Sequence, residues 1–214
     1  MIEYGLITIV SYLIGAIPFG FVLVKVLRGV DLREVGSGNL GATNAGRLLG
    51  AKWFAGVFLF DFLKGFVPAF VFGHYSREWF NAPATIGLLY GFAAMAGHIW
   101  PVYLRFKGGK GVATAAGTVT GIAPAATGIA ALAFLLVFLP FRIVSLASIS
   151  AAISLPIAFV ILEGRDAFGP TLLALVAMAL IIVLKHRSNI RRMIRGEEPR
   201  AGRLSTKGKS DDEE

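Results

Sequence analysis

The chain has 214 residues, of which 56% are hydrophobic and only 16% are charged, and its mean hydropathy is +0.71. About a quarter of the residues in an ordinary soluble domain are charged, so this composition excludes a typical soluble fold and indicates an integral membrane protein. The formal net charge is +8, but the basic residues flank apolar stretches, which favours cytoplasmic loops of a membrane protein over a nucleic-acid-binding surface.

Six apolar stretches follow one another along the chain, and each is long enough to be part of a helix that enters a bilayer. They cover approximately residues 4–26, 53–72, 85–104, 112–139, 143–162 and 171–184. The basic segments between and after them are 25–52, 105–110 and the region from residue 185, whereas 73–84 and 163–169 carry almost no net charge. Basic loops are retained in the cytoplasm, so the N-terminus is predicted to lie outside.

The stretch 112–139 decides the number of crossings. If it crossed once, the basic C-terminal region would lie outside, so it must leave the cytoplasmic side and return. Pro124 is the expected break, and 28 residues make only about 42 Å of helix, so we expect two short helices or a re-entrant pair there. The sequence predicts an all-α integral membrane protein with seven transmembrane helices and a cytoplasmic C-terminus. Residues 1–201 are expected to form one membrane domain, and 202–214 a polar, disordered tail.

A polar, glycine-rich run follows the first apolar stretch: Gly36-Ser-Gly-Asn-Leu-Gly-Ala-Thr-Asn-Ala-Gly-Arg47. Glycine lets backbone amides face a ligand, hydroxyls and carboxamides add hydrogen bonds, and a guanidinium suits phosphate. A dinucleotide-binding loop would need a preceding strand, which the flanking membrane helices exclude. A plain connector would not need so many polar groups, so we interpret the run as an oxyanion site. Its candidate ligands are Ser37, Gly38, Asn39, Thr43, Asn44 and Arg47.

A second glycine-rich run is Phe106-Lys-Gly-Gly-Lys-Gly-Val-Ala-Thr114. It differs from a Walker-type phosphate loop because glycine, rather than Ser or Thr, follows Lys110. A helix is nevertheless predicted to begin near Val112, and a helix N-terminus favours an anion. The candidate residues are Lys107, Gly108, Gly109, Lys110, Gly111 and Thr114.

The start of the basic C-terminal region supplies a third group of candidates. His186 and Asn189 are three residues apart and therefore share a helix face. From the sequence alone, His186 serves equally well as a base, a phosphate ligand or a solvated side chain. Arg142 and Ser145 lie at another predicted cytoplasmic edge, where the sequence alone favours a membrane anchor for Arg142. Glu197 and Glu198 follow a glycine, and they could equally return towards the loops or face solvent.

Other chemistries have little support in the sequence. Asp61 and Lys64 lie within the second apolar stretch at i, i+3 spacing, where a structural ion pair is expected. The chain has no cysteine, which excludes a cysteine nucleophile and thiolate metal sites. We find no readable Ser-His-Asp arrangement, no zinc-binding His-Glu-x-x-His and no His-x-x-x-x-Asp acyltransferase box.

The ordered motifs make the chain resemble the bacterial acyl-phosphate:glycerol-3-phosphate acyltransferase (PlsY) family. The resemblance covers nearly the whole chain through residue 197, and it is carried by residues 35–44, 61–65, 106–114, 144–149 and 186–192. It implies acyl transfer from acyl phosphate to the 1-hydroxyl of glycerol 3-phosphate, giving lysophosphatidic acid and inorganic phosphate. It also implies a seven-helix fold in the bacterial plasma membrane, a site on the cytoplasmic face, and no metal or other cofactor.

The expected partners are acyl phosphate, glycerol 3-phosphate and membrane lipid, with functional coupling to the enzyme that makes acyl phosphate. His186, Asn189, Arg47 and Lys107 are the predicted catalytic residues. Either His186 or a phosphate oxygen of the donor takes the hydroxyl proton. Direct attack is expected, because no serine has an evident activating partner in the sequence. The predicted substrate-binding residues are Ser37, Gly38, Asn39, Thr43, Asn44, Gly108, Gly109, Lys110, Gly111, Thr114, Arg142, Ser145 and Glu197.

Two other functions also need phosphate-binding loops at a membrane. A transporter for a small phosphate ester would use broken helices and basic groups, although such sites usually lie near the bilayer midplane. An enzyme acting on polyprenyl phosphates would place similar loops at the interface, and only substrate assays separate it from the acyltransferase.

Overall fold

A computed structural model of the chain describes residues 1–201, and all regular secondary structure within them is helical. The predicted tail, residues 202–214, lies outside the described residues. The α-helices are α1 (Ile2–Ala16), α2 (Phe19–Arg28), α3 (Ala42–Leu49), α4 (Ala51–Phe66), α5 (Gly73–Phe80), α6 (Ile86–Ile99), α7 (Val112–Thr120), α8 (Pro124–Phe141), α9 (Val144–Glu163), α10 (Pro170–Lys185) and α11 (Arg187–Ile194). A π-helical stretch, Val67–Phe72, joins α4 to α5.

Within residues 1–201, four helical stretches are long and apolar enough to cross a membrane: Ile2–Arg28, Ala51–Phe80, Pro124–Phe141 and Val144–Ala167. The helices α10 and α11, which meet at a bend of 54°, add a fifth if they are taken as one span. The helices α6 and α7 have only 14 and 9 residues. The all-helical membrane fold is therefore confirmed, whereas the seven crossings and their orientation stay predictions.

The stretch 112–139 is broken near Pro124, as the sequence predicts. Pro124 is the first residue of α8, where a missing N–H removes no helical hydrogen bond. The expectation of two short helices needs a correction, because only α7 is short. The apolar run of α8 continues to Phe141, which gives that helix 18 residues.

Close contact between α4 and α7 holds the short helix in place. A Cβ atom at Gly65 of α4 would overlap the backbone of Thr114 in α7, and one at Gly117 of α7 would overlap the backbone of Phe62 in α4. Small residues permit this separation between membrane helices. Because the second glycine-rich run leads directly into α7, the contact also fixes where that run ends.

Buried apolar side chains of the described residues form two cores. One core is formed by buried residues of α6 to α10. The other joins α2, α3 and α4, and it includes Leu32 and Leu40 of the loop between α2 and α3. These two side chains are almost completely buried, so the polar segment between them is anchored at both ends to the core of α2, α3 and α4.

Candidate active site

A pocket of about 120 Å³ lies where the three polar motifs meet. Its polar lining consists of Ser37, Asn39, Thr43, Arg47, Asp61, His98, Lys110, Ser145, Ser148, His186, Asn189 and Glu198. Aromatic and aliphatic side chains, including Phe54, Phe58, Phe134 and Val144, form the rest of the wall. A pocket lined by both charged and apolar side chains suits a ligand with a phosphate group and a hydrocarbon chain.

Nine of the seventeen residues predicted from the sequence line this pocket: Ser37, Asn39, Thr43, Arg47, Lys110, Gly111, Ser145, His186 and Asn189. The other eight are not part of its lining: Gly38, Asn44, Lys107, Gly108, Gly109, Thr114, Arg142 and Glu197. The sequence thus predicted the segments that build the pocket, but not always the residue within each segment.

The first motif ends in α3, which begins at Ala42. Thr43 and Arg47 are four residues apart, so the helix presents both side chains on one face, and both line the pocket. Within residues 1–201, no hydrogen bond or ion pair engages the guanidinium of Arg47. Its planar set of donors is available for a phosphate.

Asn44 holds the preceding loop instead of lining the pocket. Its side-chain oxygen accepts a hydrogen bond from the amide of Ser37 at 3.0 Å. Its Nδ2 donates to the carbonyl oxygens of Leu32 and Val35, at 3.2 and 3.0 Å. The side chain is buried, so these bonds fix the turn that brings Ser37 to the pocket.

The second motif contributes Lys110 to the pocket, while Lys107 is exposed outside it. The amides of Gly108 and Gly109 donate to the carbonyl oxygens of Ile99 and His98, at 3.2 and 3.0 Å. These two amides are therefore engaged within the protein and stabilise the shape of the loop.

Thr114 lies deeper, in the part of α7 that contacts α4. Its side chain is buried, and its hydroxyl has no hydrogen-bond partner among the described residues. The close contact with Gly65 gives this residue a place in helix packing, away from the pocket lining.

Lys110 joins the second motif to the third, because its ammonium group donates a hydrogen bond to the side-chain oxygen of Asn189. The pKa of Lys110 is lowered to about 8, mainly by burial; Glu198 opposes this shift, and the nearby cations Arg192 and Arg47 contribute to it. A partly desolvated ammonium beside an arginine is a strong attraction for a phosphate dianion.

His186 lies at the bend between α10 and α11 and is buried. Its Nδ1 is 2.8 Å from the carbonyl oxygen of Ile182. A carbonyl only accepts hydrogen bonds, so Nδ1 carries a proton and donates it. In the neutral ring, Nε2 is then the nitrogen with a free lone pair.

The chain turns back after α11 and brings Glu198, rather than the predicted Glu197, to the pocket. Its Oε1 accepts from Ser145 Oγ at 2.7 Å and from Asn189 Nδ2 at 2.6 Å, and its Oε2 accepts from Arg192 Nε at 2.7 Å. Burial raises the pKa of Glu198, but these hydrogen bonds outweigh it and leave the pKa below its usual value. Glu198 is therefore an anion that orders its neighbours.

Glu197 is exposed, and two adjacent glutamates after a glycine do not reveal which one turns inward. Arg142 is also exposed, and its contact with the returning chain is through its backbone. Its carbonyl oxygen accepts a hydrogen bond from the amide of Ala201 at 2.7 Å.

Sequence reasoning missed Asp61 and His98 as pocket residues. The expected ion pair is confirmed, since Lys64 Nζ lies 2.8 Å from Asp61 Oδ1, but both Asp61 and His98 also line the pocket. The signal was present: charged residues inside a membrane helix usually mark a functional site. Within residues 1–201, no group of three or more His, Asp or Glu side chains is arranged to hold a metal ion.

A family model described as glycerol-3-phosphate acyltransferase matches residues 5–196. Glycerol-3-phosphate acyltransferase of Staphylococcus haemolyticus is 44% identical over 200 residues, covering 90% of this chain and 95% of that protein. The enzyme of Aquifex aeolicus is 44% identical over 194 residues, covering 91% of this chain and 97% of that protein.

Two crystal structures of PlsY (YgiH), an integral membrane glycerol 3-phosphate acyltransferase, resemble the fold. The glycerol 3-phosphate form has a TM-score of 0.84 and 42% identity, covering 94% of this chain and 96% of the other. The lysophosphatidic acid form has a TM-score of 0.80 and 41% identity, covering 92% and 95%.

Proposed function

Because the chain belongs to the glycerol-3-phosphate acyltransferase family, we propose that its acyl donor is an acyl phosphate. The acceptor is the 1-hydroxyl of sn-glycerol 3-phosphate, and the products are lysophosphatidic acid and inorganic phosphate. Related structures of PlsY have glycerol 3-phosphate and lysophosphatidic acid forms, which agrees with this acceptor and product.

The observation that carries the proposal is the composition of the pocket. Arg47 and Lys110 supply two cationic groups, while Phe54, Phe58 and Phe134 supply an apolar wall. Both proposed substrates carry a phosphate, and the donor also carries a hydrocarbon chain. The cationic region is therefore assigned to the phosphates and the aromatic region to the acyl chain.

The reaction balances without any additional reactant. The 1-hydroxyl oxygen attacks the acyl carbonyl carbon and forms the ester C–O bond, while the bond from that carbon to the phosphate oxygen breaks. The bonding electrons leave with inorganic phosphate. Arg47 and Lys110 stabilise the charge that grows on this leaving group. The hydroxyl proton passes to His186 Nε2 or to a phosphate oxygen.

Asn189 and Glu198 prepare the site for this step. Asn189 directs its oxygen to Lys110 and its amide nitrogen to Glu198, so it links the phosphate-binding lysine to the returning chain. Ser37, Asn39 and Thr43 complete the polar lining and are assigned to substrate phosphate or glycerol hydroxyl groups.

An acyl-enzyme intermediate is less favoured. Ser145 donates to Glu198, but a carboxylate whose pKa lies below its usual value is a weak base and does not activate a hydroxyl. A covalent acyl group on Ser145 or Ser37, detected by mass spectrometry of rapidly quenched enzyme, would overturn direct attack.

The proposal includes the predicted membrane arrangement. Residues 1–201 form one domain in the bacterial plasma membrane with seven crossings, and the pocket faces the cytoplasm, where glycerol 3-phosphate is available. The basic character of the segments that carry the motifs supports this orientation. Cysteine substitutions at Lys107 and Tyr75, labelled from one side of sealed vesicles, test it: the two sites are expected to react from opposite sides.

The activity is tested with purified protein in detergent or lipid mesophase, with acyl phosphate, glycerol 3-phosphate and a metal chelator. Phosphate release that requires both substrates, together with formation of lysophosphatidic acid, is the expected result. No product, combined with movement of labelled glycerol 3-phosphate into vesicles containing the protein, would replace the acyltransferase with the transporter. Hydrolysis of acyl phosphate without acceptor dependence would also contradict the proposal.

A further inference from the structure

Three buried side chains, Asp61, Lys64 and His98, form a polar cluster that the proposed chemistry does not use. Lys64 Nζ lies 2.8 Å from Asp61 Oδ1 and donates to the carbonyl oxygen of Ile17 at 3.0 Å. His98 Nδ1 lies 3.6 Å from the same Asp61 oxygen. Each of the three side chains is less than 9% exposed. The cluster therefore ties α4 and α6 to the joint between α1 and α2.

The other edge of the His98 ring faces the second glycine-rich motif. A Cβ atom added at Gly109 would overlap this ring, since its three nearest atoms are Nε2, Cδ2 and Cε1 of His98. The amide of Gly109 also donates to the carbonyl oxygen of His98 at 3.0 Å. The backbone of Gly109 thus lies directly on His98, and the next residue along the chain is Lys110.

We infer that Asp61 and His98 are positioning residues for Lys110. Asp61 fixes the imidazole of His98, the imidazole supports the backbone of Gly109, and this support holds the ammonium of Lys110 at the phosphate region of the pocket. The inference rests on the proposed function, because it gives Lys110 the role of binding substrate phosphate. It explains why ionisable groups are retained inside membrane helices, where they are costly.

A double-mutant cycle tests the contact itself. The variants are H98A, G109A and H98A/G109A, and kcat and KM are measured for both substrates. In G109A the new methyl group overlaps the His98 ring, so we expect roughly a hundredfold loss in kcat/KM. In H98A the Gly109 backbone loses the support of the imidazole, and we expect roughly a tenfold loss in kcat/KM. In the double variant the methyl group occupies the space that the ring leaves, so its activity should equal or exceed that of G109A.

Gly108 provides the matched control. A Cβ at this position would meet the carbonyl oxygens of His98 and Ile99 and the ring of Pro101, and none of these is removed in H98A. The losses in G108A and H98A should therefore multiply, whereas those in G109A and H98A should not. If the fold-losses in kcat/KM of the single variants multiply in both cycles, the inference is overturned.

A second measurement reports the position of Lys110 without depending on catalysis. The rate at which acetic anhydride modifies Lys110 is followed by mass spectrometry as a function of pH. In the wild type, labelling should follow the pKa of about 8; in H98A and D61N the displaced lysine becomes better solvated, so this midpoint moves upward. The charged neighbours Glu198, Arg192 and Arg47 are the same in all variants. An unchanged midpoint would contradict the inference.

These measurements distinguish failure of the proposed function from failure of the positioning role of His98. If the wild type transfers no acyl group, the proposed function fails, and the labelling result still decides whether His98 positions Lys110. H98Q keeps a polar group near Gly109 and gives a second variant with a milder change in volume. It is expected to retain more activity and a lower Lys110 midpoint than H98A. A Lys110 midpoint in H98Q above that in H98A would contradict support of Gly109 by the side chain at position 98.

Discussion

Lys110 and Asn189, 79 residues apart in the chain, are joined by a hydrogen bond from the lysine ammonium to the asparagine side-chain oxygen. The amide nitrogen of Asn189 donates in turn to Glu198. The asparagine therefore has a fixed orientation, and the second motif, the bend after α10 and the returning chain form one connected unit. A change at any of these three side chains is expected to affect the other two.

Lys110 should set the alkaline limb of the pH profile. The ammonium is cationic below its pKa of about 8 and neutral above it, so kcat/KM, which reports the free enzyme, should fall as the pH rises through 8. K110R keeps its charge in this range, and its alkaline limb should move to higher pH even if its maximum rate is lower. Identical alkaline limbs in the two proteins would assign that titration to another group.

Arg47 should contribute through its planar guanidinium. Because no side chain among the described residues engages it, we expect its full set of donors to be available to substrate. R47A should lose roughly a hundredfold or more in kcat/KM, as expected when a charge-assisted contact to phosphate is removed. R47K should recover only a small part. Arg195, exposed immediately after α11, is the control: R195A should remain within about twofold of wild type. Near-normal activity of R47K would show that charge alone suffices.

His186 allows the two ring nitrogens to be tested separately. H186N keeps a donor at the position of Nδ1, so the hydrogen bond to Ile182 and the helix bend should persist, but it lacks Nε2. We expect a normal melting temperature with kcat reduced by roughly a hundredfold or more. The exposed His74 is the control, and H74A should leave kcat unchanged. If H186N keeps its kcat, the proton goes to substrate phosphate instead of the imidazole.

Glu198 and Glu197 form a natural matched pair. E198A removes the acceptor for Ser145, Asn189 and Arg192 and leaves buried donors unsatisfied, at a cost of roughly 2–4 kcal/mol. The melting temperature in detergent should fall by several degrees and activity should be lost. E197A changes an exposed side chain and should leave both quantities near wild type. Equal effects of the two variants would contradict the assignment.

How far the sequence could predict this site depends on whether the determinant is local. Thr43 and Arg47 share one face of α3 at i, i+4, and Asn189 lies in the first turn of α11, three residues after His186 at the bend. All four line the pocket. Helical spacing alone was enough for those pairs.

The choice between neighbouring residues of one kind was not local. Lys107 and Lys110 lie in the same short loop, and only the folded chain shows that Lys110 lines the pocket while Lys107 is exposed outside it. Asn44 was predicted as a ligand because its side chain is polar, but the carbonyl oxygens that it binds, at Leu32 and Val35, become visible only when the loop is folded.

The break at Pro124 was predictable from proline chemistry, whereas the length of α8 depended on how far the apolar run extends.

The return of Glu198 to Ser145 has a consequence for how the protein is made. The chain emerges from the ribosome N-terminus first, so all eleven helices of residues 1–201 are synthesised before this carboxylate. The lining of the pocket is therefore completed after the last helix has been made. Until then the nascent chain has its cationic residues but lacks the anion that orders Asn189 and Arg192. We therefore expect the pocket to reach its final arrangement late in biogenesis, after the last helix has been synthesised.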